Sequence, residues 1–221
     1  MSNSIIKSEN LFKEINHNKI LHNINLRIEK GKFIALIGPS GSGKTTLLNI
    51  VGLMDSFSGE LLVLDNEIKT LSCNEKAKIR NENIGFIFQS HLLLPELTVI
   101  DNITLPKYLN SKDSFNPYEL LERVGLKNKT NSLPKELSCG ELQRAAFARA
   151  IINKPEIVLA DEPTGNLDKA NKIKIFDMLK QYSQDYSATI IVASHDEIVK
   201  HYADEILTMD DGHILLPELL H

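Results

Sequence analysis

Gly38-Pro39-Ser40-Gly41-Ser42-Gly43-Lys44-Thr45 is the stretch from which the rest of this chain can be read. Its spacing is G-x-x-x-x-G-K-[ST]. The run before it, Lys32–Ile37, is apolar and β-branched and predicts a strand. The run after it, Thr45–Gly52, predicts a helix. In a strand–loop–helix of this kind the glycines let backbone amides wrap a chain of phosphates, and the helix start adds the positive end of its dipole. The candidate nucleotide contacts are therefore Gly38, Pro39, Ser40, Gly41, Ser42, Gly43, Lys44, Thr45 and Thr46. Lys44 is placed to reach the β- and γ-phosphates of ATP, and the Thr45 hydroxyl to ligate magnesium.

Working outward, Glu156–Ala160 is a second apolar run and delivers Asp161 and Glu162. Thr189–Ala193 is a third and ends at Ser194. Continuous apolar strands predict a parallel sheet covered on both faces, and open α/β sheets hold their ligands where the strands end. Asp161 is then a candidate magnesium ligand. Glu162 is the carboxylate that orients or deprotonates a water in line with the γ-phosphate. Helical patterns fill Pro117–Val124, Glu141–Ile152 and Asn171–Tyr182, while Gly59–Asp65 with Asn66 reads as part of a small antiparallel sheet. The expectation is one α/β domain over residues 1–221, with a mostly parallel core, a small antiparallel β subdomain and a helical subdomain inserted at about 90–155.

The bulk numbers narrow the partners. The formal net charge of -4 offers no general basic surface for a phosphate backbone, so nucleic acid is not expected. Cys73 and Cys139 make neither metal-ligand spacing nor a disulfide framework, which suggests a reducing compartment such as the cytosol. Residues 1–14 lack a secretory pattern, and no apolar run approaches the roughly 18 to 20 residues that span a bilayer. Any membrane role is expected to come through a partner.

Leu137-Ser138-Cys139-Gly140-Glu141-Leu142-Gln143-Arg144 adds a family. Together with the phosphate loop and the acidic pair it resembles the L-S-G-G-Q signature of the ATP-binding cassette ATPases, which have the P-loop NTPase fold. Gln89, after the apolar run Ile84–Phe88, looks like the family's glutamine loop. Gly165-Asn166-Leu167-Asp168 looks like its D-loop, and Ser194-His195-Asp196 like its histidine switch. The resemblance implies an ATPase of two cassettes packed head to tail. Each ATP would lie between one copy's phosphate loop and the other's signature, so Ser138, Gly140 and Glu141 are candidate contacts to the opposite nucleotide. Gln89 is implied at magnesium and the attacking water, His195 at the γ-phosphate and Glu162, and Asp168 at the opposite copy. The catalytic set is Glu162, His195, Lys44 and Gln89, and the metal set Thr45, Gln89 and Asp161.

Two departures stand out. Cys139 occupies the usual first signature glycine, and Ile15 occupies the position where the family often stacks adenine on an aromatic, with Phe12 a candidate substitute. Within the family, Ile84–Gln89, Leu92-Leu93-Leu94-Pro95 and Ala160–Asp168 resemble the lipoprotein-releasing, macrolide-export and cell-division cassettes, and also the bacitracin-type resistance cassettes. The segment Lys107–Asn116 looks shorter than in those relatives. Such ATPases serve separate integral permeases, so a homodimer on the cytoplasmic face of a membrane is expected, with a partner helix docked near Gln89 and the stretch Leu92–Val99. The work is expected to be export, lipoprotein or lipid extraction, or transmission of force. The alternatives are a soluble cassette acting outside transport and a regulatory scaffold that binds ATP.

Overall fold

The structure, a computed structural model, describes residues 4–109 and 113–215. Residues 1–3 of the N-terminal stretch and 110–112 of the shortened segment lie outside the described residues. The chain opens with β1 (Ser4–Ile15), β2 (Asn18–Glu29) and β3 (Phe33–Ile37), then α1 (Lys44–Val51), β4 (Ser58–Val63) and β5 (Asn66–Glu67). Next come α2 (Cys73–Asn83), β6 (Ile84–Ile87), α3 (Val99–Thr104), α4 (Pro117–Arg123) and α5 (Cys139–Ile151). The last elements are β7 (Ile157–Asp161), α6 (Lys169–Tyr186), β8 (Thr189–Ala193), β9 (Glu205–Asp210) and β10 (His213–Leu215).

The strands form two sheets. One has the order β10-β9-β3-β8-β7-β6, parallel from β9 to β6 and antiparallel only at β10. The other is antiparallel, with the order β2-β1-β4-β5. Alternate residues of the central strands enter different cores. Phe33, Ala35, Val158, Ala160, Ile190 and Val192 pack with the inner faces of α5 and α6. Ile34, Leu36, Ile157, Leu159, Ile191 and Ala193 pack with α1 and the antiparallel sheet. This two-sided cover is why these strands read as unbroken apolar runs rather than alternating ones.

The register then sets the site. Leu36 pairs with Ala193, and Ala193 with Asp161, so β3, β8 and β7 end side by side. The loops that begin at Gly38, Glu162 and Ser194 leave from that one edge.

Several expected boundaries move. The first and second apolar strands begin at Phe33 and Ile157, one residue later than expected, and β6 ends at Ile87. The helix expected from Glu141 starts at Cys139, because Ser138 caps it: the Glu141 amide donates to Ser138 Oγ at 3.3 Å and the Ser138 amide to Glu141 Oε2 at 2.8 Å. Val99, grouped by sequence with an exposed apolar stretch, is fully buried in the larger core, whereas Leu92 and Leu94 are exposed. Val99 opens α3, and Asn102 on the same helix pins the loop ahead of it: the Leu94 amide donates to Asn102 Oδ1 at 2.7 Å, and Asn102 Nδ2 donates to Leu94 and Leu97 carbonyls at 3.0 Å.

Candidate functional site

The phosphate loop closes so tightly that it demands glycine. A Cβ on Gly38 would lie 2.0 Å from the Met209 carbonyl oxygen of β9. Gly43, the residue that caps α1, has φ 99°, and a Cβ there would lie 2.8 Å from Leu21 Cδ2. α1 has no side-chain cap and no acid in its first turn, so its leading amides and its dipole are left to an anion. Lys44 is buried, and its Nζ donates to the Gly38 and Pro39 carbonyls at 2.9 Å each, which curls the ammonium back over the loop. Ser42 Oγ is buried with no partner among the described residues.

A cavity of about 590 Å³ lies over this loop, lined by Ile20, Ser40, Gly41, residues 43–46, Gln89, Asp161, Glu162 and His195. Thr45 and Asp161 face the same space from α1 and the end of β7. Burial pushes the Asp161 carboxyl up and neighbouring Glu162 adds to this, while Thr45 and Lys44 pull the other way; the net shift is upward. Glu162 sits in the left-handed region at φ 46°, with its amide donating to the Ala193 carbonyl at 2.8 Å. That turn aims its carboxylate toward the loop that follows β8, where His195 Nδ1 lies 2.9 Å from Glu162 Oε2. Gln89 Nε2 lies 3.2 Å from the Cβ that Gly165 lacks, which places the glutamine against the loop that follows Glu162.

One carboxylate, one hydroxyl and one carboxamide suit magnesium, which keeps several waters and takes phosphate oxygens as ligands rather than an all-protein cage. Among the described residues no cluster of three or more His, Cys, Asp or Glu side chains offers such a cage. Thr45, Gln89 and Asp161 all line the one cavity, so the residues present fit the ion.

The remaining sequence candidates lie elsewhere. Ile15 and Phe12 are both exposed on β1, and the apolar wall of the cavity on that side is Ile20 of β2. Ser138, Gly140, Glu141 and Asp168 do not line the cavity. They gather at the N-termini of α5 and α6, where Asn171 joins them. Asp168 caps α6, its Oδ1 accepting from the Asn171 amide at 2.9 Å and its Oδ2 from Asn171 Nδ2 at 2.7 Å. The same carboxamide covers Gly140: a Cβ there would stand 2.7 Å from Asn171 Oδ1. Asn171 was not singled out in the sequence, where nothing but its place three residues after a capping Asp marks it.

The model of the ABC transporter family matches residues 21–165 of this chain. The chain is 42% identical over 199 residues to the lipoprotein-releasing system ATP-binding protein LolD of Shewanella frigidimarina, covering 88% of this chain and 83% of that one. It is 40% identical to the protein of the same description from Pseudoalteromonas translucida, over 100% of this chain and 99% of that one. Among solved structures, the dimeric ATP-binding cassette MJ0796, in a post-hydrolysis state bound to ADP and Pi, superposes with a TM-score of 0.89 at 35% identity, over 98% of this chain and 99% of that one.

Proposed function

This chain belongs to the ABC transporter family, and on that premise we propose that two copies pack head to tail around two ATP molecules at the cytoplasmic face of a membrane. It is an ATP-binding, ATP-hydrolysing subunit of a transporter complex. The observation that carries the fuller reading is the split of the site. Lys44, Thr45, Gln89, Asp161, Glu162 and His195 share one cavity, whereas Ser138, Gly140 and Asp168 do not line it. A second copy would bring that absent half.

In this reading the loop amides and Lys44 hold the phosphates, and Thr45, Asp161 and Gln89 hold magnesium. The ion, when bound, neutralises charge on the β- and γ-phosphates. Glu162 takes a proton from the attacking water. His195, 2.9 Å away, fixes the carboxylate and reaches toward the γ-phosphate. The partner's signature, at the N-terminus of α5, adds a helix dipole to the same charge.

Hydrolysis is coupled to a permease through the loop that follows Gln89. A groove of about 460 Å³ borders it, lined among others by Phe86, Phe88, Leu92 and Leu109. Leu92, Leu94, Tyr108 and Leu109 leave large apolar surfaces exposed around it. Arg149 on α5 grips the loop, Nη1 donating to the Leu92 carbonyl at 2.5 Å and Nη2 to the His91 carbonyl at 2.8 Å. α5 therefore links the docking loop at one end to the signature at the other, and the helical stretch at about 90–155 acts as one inserted arm. Among the described residues no helix is long and apolar enough to cross a membrane; this reading assigns the membrane-spanning part to the partner. The work proposed is release of lipoproteins, the role in the names of the full-length relatives. Charged replacement of Leu92 and Leu94 should leave basal ATP turnover intact and abolish permease-dependent activity. Full permease-dependent activity in the doubly charged variant would refute the docking site.

A further inference from the structure

The His195 side chain is 70% exposed, against 17% for Glu162. Little packing surrounds the ring, so its place is set by the backbone on either side. Ahead of it, Ser194 is fully buried and fixed to the sheet, its amide donating to the Leu36 carbonyl at 3.1 Å. Behind it, the Asp196 amide donates to Ser194 Oγ at 3.0 Å. Asp196 Oδ1 accepts from the Ile198 amide at 3.0 Å, which caps the 3-10 turn Glu197–His201. The other carboxylate oxygen, Oδ2, lies 2.6 Å from Lys172 Nζ on α6, and the two side chains of that pair are only 25% and 13% exposed. Lys172 is badly placed for its own helix. It is the fourth residue of α6, where the dipole disfavours a cation and where the first turn holds no acid. The Asp196 carboxylate offsets that. Farther along α6 the same segment is held twice more: the Tyr202 hydroxyl donates to Asp177 Oδ1 at 2.8 Å, and Lys180 Nζ donates to the Tyr202 carbonyl at 3.0 Å and to Asp204 Oδ1 at 2.8 Å. Of these tethers, the Lys172–Asp196 pair is the one next to His195 in sequence.

We infer that Lys172 is a positioning residue for ATP hydrolysis: through Asp196 it pins the loop that carries His195, and so keeps the imidazole at the Glu162 carboxylate. The inference rests on the reading of Glu162 as the base and His195 as the group that fixes it, and adds the part that fixes His195. Without the lysine, Asp196 keeps its bond to the Ile198 amide but loses its anchor on α6. The chain beyond stays held through Tyr202 and Asp204, so the slack falls on residues 195 and 196. A misplacement of about 1 Å at a reacting group can cost about a hundredfold in rate. Lys172 does not line the nucleotide cavity, so it acts on turnover and not on ATP binding. Its neighbour Asn171 covers Gly140 at the start of α5. Consecutive residues of α6 thus touch the signature helix and the histidine loop, and a shift of that turn reaches both.

The test compares Lys172→Met, Lys172→Arg, Asp196→Asn and the double variant Lys172→Met/Asp196→Asn in the full-length chain, with His195→Ala as the control. Steady-state phosphate release gives kcat and KM for ATP, nucleotide binding is measured directly, and calorimetry checks folding. Lys172→Met removes the charge and keeps the length of the side chain. It should lower kcat about tenfold or more, with ATP affinity within about twofold of the wild type. Lys172→Arg should recover most of that loss, because a guanidinium still meets the carboxylate. Asparagine caps a turn as well as aspartate does. Asp196→Asn should therefore fold, lose turnover as Lys172→Met does, and add nothing to it in the double variant. It also gives the answer should Lys172→Met fail to fold. Wild-type kcat in Lys172→Met or in Asp196→Asn, with His195→Ala impaired, overturns the inference and leaves the reading of the site intact. Additive losses in the double variant, or an equal loss in Lys172→Arg, overturn it too. Wild-type turnover in His195→Ala removes the reading itself and takes this inference with it.

Discussion

Replacement of Gly140 by alanine tests the junction between the signature and the D-loop. The new methyl would stand 2.7 Å from Asn171 Oδ1 and 2.8 Å from Asn171 Cγ, well inside contact distance. The carboxamide has little freedom to retreat, because its Nδ2 is bonded to Asp168 Oδ2 at 2.7 Å. Overpacking of this kind costs about 1–3 kcal/mol. Alanine returns part of that, at most about 1 kcal/mol, because it is a better helix former than glycine. The net expectation is a loss of about 1–2 kcal/mol, which lowers the unfolding temperature of a chain this size by about 2–8 °C. Scanning calorimetry of four proteins reads it: wild type, Gly140→Ala, Asn171→Ala and the double variant. With Asn171 cut back to alanine the clash is gone, so adding Gly140→Ala should then be neutral or stabilising. An equal fall in both backgrounds would refute the claim that Asn171 is what requires glycine at 140.

Cys139 is exposed at the start of α5, as is Cys73 on α2. Alkylation of Cys139 should be fast without nucleotide and slow with ATP and magnesium in a Glu162→Gln background, while Cys73 labels at an unchanged rate; peptide mass spectrometry decides it. Lys44→Ala should lose ATP affinity and turnover together, measured by nucleotide binding and phosphate release. Burial pushes the Asp196 carboxyl up, but the Lys172 ammonium at 2.6 Å and the Ile198 amide outweigh it, and its pKa falls below the ordinary 3.8. Stability from that pair is therefore present above about pH 4 and lost as pH falls through the lowered value, and Asp196→Asn should flatten part of the acid limb of a stability–pH curve.

The central strands and the site they carry were legible in the sequence because burial on both faces writes itself as unbroken apolar runs, each ending in a polar residue. The β1–β2 hairpin was not. Its pairing slips at several points between Ser4 and Glu14, and Asn10, Asn16, His17 and Asn23 take positive φ, so the two-residue period never persists long enough to be seen. α2 carries no apolar stripe, and its buried residues are Glu82 and Asn83. Its signal was the capping box of Ser72 and Glu75, the same pattern that moves the start of α5 back to Cys139. Asn171 and Lys172 could not have been chosen from the chain alone. Each matters because of a neighbour brought to it by folding: Gly140 for the first and Asp196 for the second.

The central claim is that one copy's cavity is completed by another copy's signature, and Glu162→Gln tests it most directly. The amide keeps the shape of Glu162 but cannot take the proton from water, so ATP should bind and persist. Light scattering with ATP and magnesium, at rising protein concentration, should then give the molar mass of two chains, and that of one chain when ATP is left out. A Glu162→Gln protein that binds ATP and still scatters as a single chain at high concentration would contradict the shared site.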